Sequence, residues 1–174
     1  MKETRFLITF LLLLLVQICM ANFFRLSQYV MLSILPAMIL LIPIRHGTTT
    51  SVIIAFFTGL AVDLLSDGLL GLNALALVPV GFFRIGIIRL IFGEEIFARK
   101  EDISVPRQGI WKMSVAIIMA QAIFLIIYIW ADGAGTRPLW FSGIRFAASL
   151  VGGYMLSLFV ANMRAPERSS GSRR

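Results

Sequence analysis

Asp63 is the residue whose chemistry stands out most, because it is an acid inside a long apolar run, GLAVDLLSDGLLGLNALAL (residues 59–77). Ala55, Gly59 and Asp63 are spaced i, i+4, i+8 and therefore share one face of a helix. Small residues at that spacing let two membrane helices approach closely, so we expect Asp63 to lie in a helix–helix interface. Two roles are open: an acid that faces a cavity or partner, and an aspartate near the helix end that is solvated or caps the turn.

Arg145 is the basic residue best placed to pair with this acid. In the arrangement of spans derived below, the third span runs outward and the sixth runs inward, so Asp63 and Arg145 lie at similar depth. Arg145 is about 9 Å into its span at 1.5 Å per residue. We expect Arg145 to form an intramembrane ion pair with Asp63, or alternatively with Asp67, and to tie the third span to the sixth.

A second group with potential chemistry is Glu94-Glu95-Ile96-Phe97-Ala98-Arg99, which spells EExxxR and resembles the first motif of CAAX-type intramembrane proteases. Those enzymes also need histidines on later helices for a metal or for acid–base chemistry. The chain has a single histidine, His46, which lies upstream. We therefore interpret this run as a solvated charged face. Since no other catalytic, metal-binding or phosphate-binding pattern is present, we expect no enzyme activity and no cofactor.

The composition predicts which elements must position these residues. The chain has 174 residues, of which 59% are hydrophobic and 14% charged, and its mean hydropathy is +0.90. A soluble domain carries about 25% charged residues, so the apolar excess indicates a membrane protein. We expect an all-α membrane protein, a bundle of about six transmembrane helices. The predicted spans are 6–22, 29–44, 49–65, 69–83, 110–130 and 139–161.

The basic residues predict the orientation of this bundle. With the N-terminus in the cytoplasm, all of the sixteen lysines and arginines except Arg25, Arg137 and Arg145 fall on the cytoplasmic side. The N-in/C-in topology also accounts for the net charge of +7, so we expect membrane lipid as a partner and no nucleic acid. Residues 1–163 are predicted to form one transmembrane domain with a cytoplasmic loop at about 84–109, and residues 164–174 a basic, disordered cytoplasmic tail.

Further polar and small residues are predicted to shape helix packing. Asn73, one turn into the fourth span, is expected to form an interhelical hydrogen bond or to contact a ligand. Close packing of the sixth span, within the chain or against a partner protein, is expected through a small-residue face. The residues of this face are Gly143, Ala147, Ala148, Gly152 and Gly153.

Residues 59–77, the stretch that contains Asp63, also resemble the rod shape-determining protein MreD family. The resemblance consists of a Gly-x-x-x-Asp that ends one span, a short Asp/Gly turn, and Leu-Gly-Leu-Asn-Ala-Leu-Ala-Leu opening the next. The length, the six spans and the basic C-terminal end also fit that family. The matching residues are Gly59, Asp63, Leu64, Leu65, Gly68, Gly71, Leu72, Asn73, Ala74 and Leu75.

This resemblance implies a non-catalytic subunit of the bacterial cell-elongation complex, in the inner (cytoplasmic) membrane. It implies binding to an MreC-like periplasmic scaffold, and association with MreB, RodA and a class B penicillin-binding protein. The hairpin Ala55, Gly59, Asp63, Asp67, Gly68, Gly71 and Asn73 would then serve helix packing or partner docking.

The resemblance to the MreD family also implies a helical fold similar to that of the S components of energy-coupling vitamin transporters. This gives the alternative function, a small-molecule-binding transporter subunit. S components dock their coupling subunit through an alanine-rich face on the first span. Here the first span reads LITFLLLLLVQICM and has no such face.

Overall fold

A computed structural model describes residues 2–23, 30–66, 69–98, 108–133 and 138–163 of the chain. The regular elements in these segments are all α-helices. They are α1 (Lys2–Phe23), α2 (Leu35–Leu40), α3 (Thr48–Leu65), α4 (Leu72–Phe92), α5 (Glu95–Ala98), α6 (Ile110–Asp132) and α7 (Leu139–Met163).

Five of these helices, α1, α3, α4, α6 and α7, are long and apolar enough to cross a bilayer. Their apolar spans are 18 to 24 residues long, or about 27–36 Å at the α-helical rise, and the hydrocarbon core of a bilayer is about 30 Å thick. The chain is therefore a multi-pass integral membrane protein, as its composition predicts. Five of the six predicted spans are confirmed as long helices.

The predicted second span, residues 29–44, is not a continuous helix, and this prediction is wrong. Residues 30–34 are non-helical, α2 covers only six residues, and turns follow it up to residue 46. We call residues 30–44 the broken crossing. Pro36 lies in the first turn of α2, where a proline is tolerated because the N–H that it lacks has no helical partner.

The chain between α1 and α3 nevertheless returns from one end of the bundle to the other, and the broken crossing is part of that path. Asn22, near the end of α1, donates a hydrogen bond from Nδ2 to the carbonyl oxygen of Leu65, the last residue of α3, at 2.9 Å. Because α1 and α3 thus end on the same side, the chain between them must return to the opposite side. Irregular backbone at membrane depth is tolerated only where protein or a water-filled cavity surrounds it, and here every residue of α2 is buried.

The predicted cytoplasmic loop at about 84–109 begins too early. Helix α4 continues to Phe92, so Arg84 lies inside a helix and is fully buried. The hydropathy of the sequence predicts that the span ends at Arg84, the first arginine after the apolar run. Arg84 can lie inside the helix because its guanidinium donates hydrogen bonds to groups within the protein. Residues 99–107 and the predicted tail, 164–174, lie outside the described residues.

The broken crossing, α4 and α6 form the centre of the bundle. The apolar spans of α4 and α6 are 44% buried, whereas that of α1 is 11% buried. The core side chains include Leu35, Met38 and Leu40 of the broken crossing and Phe124 of α6, all fully buried. Consequently the interior of the bundle is filled by α2 rather than left open.

Candidate functional site

Asp63 caps the N-terminus of α4. Its Oδ1 accepts hydrogen bonds from the Asn73 backbone N at 3.1 Å and from Asn73 Nδ2 at 2.8 Å, and its Oδ2 accepts one from Ala74 N at 3.1 Å. The first N–H groups of a helix have no partner within the helix, and the helix dipole favours a negative charge there. Asp63 is only 3% exposed, so it caps the next helix from a buried position and is not solvated.

The face formed by Ala55, Gly59 and Asp63 packs directly against α4. A Cβ atom added to Gly59 would lie 2.5 Å from Ala74 N and 2.7 Å from the Asn73 carbonyl carbon. On the α4 side, a Cβ added to Gly81 would lie 3.1 Å from the Ala55 Cβ. Glycine at these two contacts therefore sets how closely the antiparallel helices α3 and α4 approach each other.

The turn between α3 and α4 ends at Gly71, whose φ of 88° lies in the left-handed region that favours glycine. The other predicted turn residues, Asp67 and Gly68, lie outside the described residues. Asn73 forms the interhelical hydrogen bond to Asp63, while its Oδ1 is buried and has no hydrogen-bond partner among the residues that the structure describes.

The expected ion pair between Asp63 and Arg145 is not formed, and this prediction is wrong. Arg145 of α7 instead forms an ion pair with Asp132, the last residue of α6. The Arg145 guanidinium also lies 6.0 Å from the ring centroid of Tyr128. Similar depth in the membrane does not place two residues on facing helices, and α7 packs beside α6.

The predicted small-residue face of α7 divides into two parts. Gly152 and Gly153 face the protein: a Cβ on Gly152 would lie 2.6 Å from Leu32 Cδ2, and one on Gly153 would lie 2.9 Å from Gln121 Cδ. By contrast, Gly143 and Ala147 are exposed, and Ala148 is half-buried. Only the C-terminal part of this face therefore packs within the chain.

Polar side chains on three helices hold the non-helical start of the broken crossing, and the sequence prediction missed them. Gln17 of α1 donates from Nε2 to Leu32 O at 3.4 Å and accepts from Ile34 N at 2.8 Å. In addition, Ser149 Oγ of α7 accepts from Met31 N, and Gln121 Nε2 of α6 donates to Ser33 O. Isolated polar residues within apolar spans were the available signal.

Arg84 of α4 holds the other end of the broken crossing. It donates hydrogen bonds to the carbonyl oxygens of Leu40 at 3.3 Å, Ile42 and His46, and to Ser51 Oγ at 3.2 Å. A buried charge is costly unless hydrogen bonds surround it, so these acceptors explain how a fully buried arginine is accommodated. The sequence prediction assigned Arg84 to a loop and therefore missed this role.

The EExxxR run, residues 94–99, begins at the protein surface. Glu94 forms an ion pair with Arg89 at 3.3 Å, with side chains 79% and 60% exposed; Arg99 of the EExxxR run lies outside the described residues. Within the described segments, no three His, Cys, Asp or Glu side chains lie close enough together to hold a metal ion.

A cavity of about 320 Å³ lies between the facing ends of α6 and α7. Leu139 and Trp130 in its wall are 90% and 71% exposed, so the cavity is at the periphery of the bundle. Its lining is mostly apolar. The lining residues are Ile126, Ile129, Trp130, Gly133, Leu139, Ser142 and Phe146.

These helices define a multi-pass membrane protein in which several buried polar side chains hydrogen-bond to backbone groups of other segments. Comparison with protein-family models, curated proteins and solved structures finds no match for the chain.

Proposed function

We propose that this protein is a non-catalytic membrane subunit of the bacterial cell-elongation complex, with the role of an MreD-like protein. The observation that carries the proposal is the α3–α4 hairpin. Of the residues on which the MreD resemblance depends, Gly59, Asp63, Asn73 and Ala74 are in mutual contact. Since both carboxylate oxygens of Asp63 accept hydrogen bonds from α4, the acid holds α3 and α4 together.

The proposed partners follow from the resemblance. We propose an MreC-like periplasmic scaffold as the direct partner, with MreB, RodA and a class B penicillin-binding protein in the same complex. The protein would lie in the cytoplasmic membrane with both ends inside. The end of the bundle where α3 begins, with exposed Arg45, would then face the cytoplasm.

The alternative, a transporter S component, is less well supported by the packing. A substrate site is normally a concave pocket with a few convergent polar groups. In this bundle the centre is occupied by Leu35, Met38 and Leu40, which are fully buried, and the cavity between α6 and α7 is peripheral and mostly apolar. We therefore retain the scaffold as the proposed function.

Affinity purification in mild detergent tests the proposal. We expect the tagged protein to co-purify with a bitopic MreC-like partner from its native membrane, and its depletion to turn rod-shaped cells round. A Glu94→Gln variant should retain both properties, because that side chain is exposed. A co-eluting vitamin-like ligand with no elongation partner would overturn the proposal in favour of the transporter.

A further inference from the structure

Arg84 sits in a cage of oxygen atoms that converge from one end of the broken crossing. The carbonyls of Leu40, the last residue of α2, and of Ile42 and His46 all accept from the guanidinium, and Ser51 Oγ of α3 accepts as well. The side chain is 0% exposed. Four acceptors from the continuous stretch 40–51 thus surround one cation that α4 supplies.

The cage matches a guanidinium better than other cations. The last carbonyls of a helix have no intrahelical partner, and they attract positive charge. Arginine presents five donors in a planar fork, whereas lysine presents a compact ammonium on a flexible stem. Here Nε, Nη1 and Nη2 each donate to a different carbonyl, so all three nitrogens of the fork are used.

We propose that Arg84 is a tethered cation that fixes the broken crossing against α4, and that the oxygen cage around it is a guanidinium-binding site in its own right. Without the cation, the carbonyls of Leu40 and Ile42 would be buried without their charged partner. The site is near an end of the bundle, since His46 is half-buried and Arg45 next to it is exposed. A small cation from solution therefore has a short route to the cage. This inference does not depend on the proposed function.

Chemical rescue tests the proposal. In detergent, Arg84→Ala should lower the melting temperature by on the order of 10 °C, because several charge-assisted hydrogen bonds are lost. Millimolar guanidinium chloride should restore at least half of that loss, and the same concentration of sodium chloride should not. Arg84→Met should be destabilised but not rescued, because its side chain fills the cage. Arg89→Ala is the matched control, because Arg89 lies on the same helix but is 60% exposed. Its melting temperature should differ little from that of the wild type in either salt.

The same melting measurements can also overturn the proposal. An Arg84→Ala protein that melts like the wild type, or that gains no more from guanidinium than Arg89→Ala does, overturns the proposal. If Arg84→Ala yields folded protein only when guanidinium is present during extraction, the proposal is supported. If it yields none in either salt, Arg84→Lys decides: a clearly lower melting temperature supports the fork geometry, and a wild-type value overturns it.

Discussion

Replacing Asp63 by alanine tests whether the α3–α4 hairpin depends on its buried cap. The change removes three hydrogen bonds and leaves the N–H groups of Asn73 and Ala74 buried without their acceptor. A hydrogen bond to a charged group contributes about 1.5–3 kcal/mol, and an unpaired buried donor costs about 1–3 kcal/mol. Because these contributions overlap, we expect the free energy of unfolding to fall by about 3–5 kcal/mol.

Thermal unfolding of the detergent-solubilised protein measures this loss. For a chain of this length, each kcal/mol shifts the melting temperature by about 2–4 °C, so Asp63→Ala should melt roughly 6–20 °C lower than the wild type. Asp63→Asn keeps one acceptor oxygen, so its melting temperature should lie between those of the wild type and Asp63→Ala. Glu94→Ala is the control, because it removes an acid that is 79% exposed. It should lower the free energy of unfolding by no more than about 1 kcal/mol.

An Asp63→Ala protein that melts within about 2 °C of the wild type would refute the capping argument. That outcome would fit an acid needed for chemistry or transport, which loses activity without loss of stability. Equal melting of the Asn and Ala variants would show that the backbone N–H groups do not depend on the carboxylate.

Two further predictions concern helix contacts. Gly59→Ala should destabilise the protein by about 1–3 kcal/mol in the same melting assay, because the new Cβ meets the backbone of Ala74. Gly143→Ala should be harmless, because among the described residues no atom from outside its own helical turn lies within 4 Å of the new Cβ. Arg145→Asp should destabilise the α6–α7 pair, and adding Asp132→Arg should restore stability; no recovery in that double variant would contradict the pairing.

The sequence predicts that the Ala55, Gly59 and Asp63 face lies in a helix–helix interface because the information is local, although the expected partner of Asp63 was the sixth span and not the fourth. Ala55, Gly59 and Asp63 are one helical turn apart, so a single periodicity identifies the face. The residues that Asp63 contacts, Asn73 and Ala74, follow it by only 10 and 11 positions. A short turn leaves few ways for two such helices to pair.

The broken crossing could not be predicted in the same way. Residues 29–44 are as apolar as a membrane helix, and hydropathy does not distinguish a helix facing lipid from an irregular segment enclosed by protein. What permits the irregular form is a set of distant side chains, Gln17, Arg84 and Gln121 among them. The Asp63–Arg145 prediction failed for a related reason: depth can be read from span order, but the arrangement of helices around the bundle axis cannot.

The hydrogen bonds of the broken crossing also constrain how the protein is made. Met31 and Ser33 are paired with groups 118 and 88 residues later in the chain. During synthesis these backbone groups enter the membrane well before α6 and α7 emerge from the ribosome. Since lipid offers no hydrogen-bond partners, residues 30–44 must stay helical or shielded until the later helices insert. The native conformation of this early segment is therefore completed last.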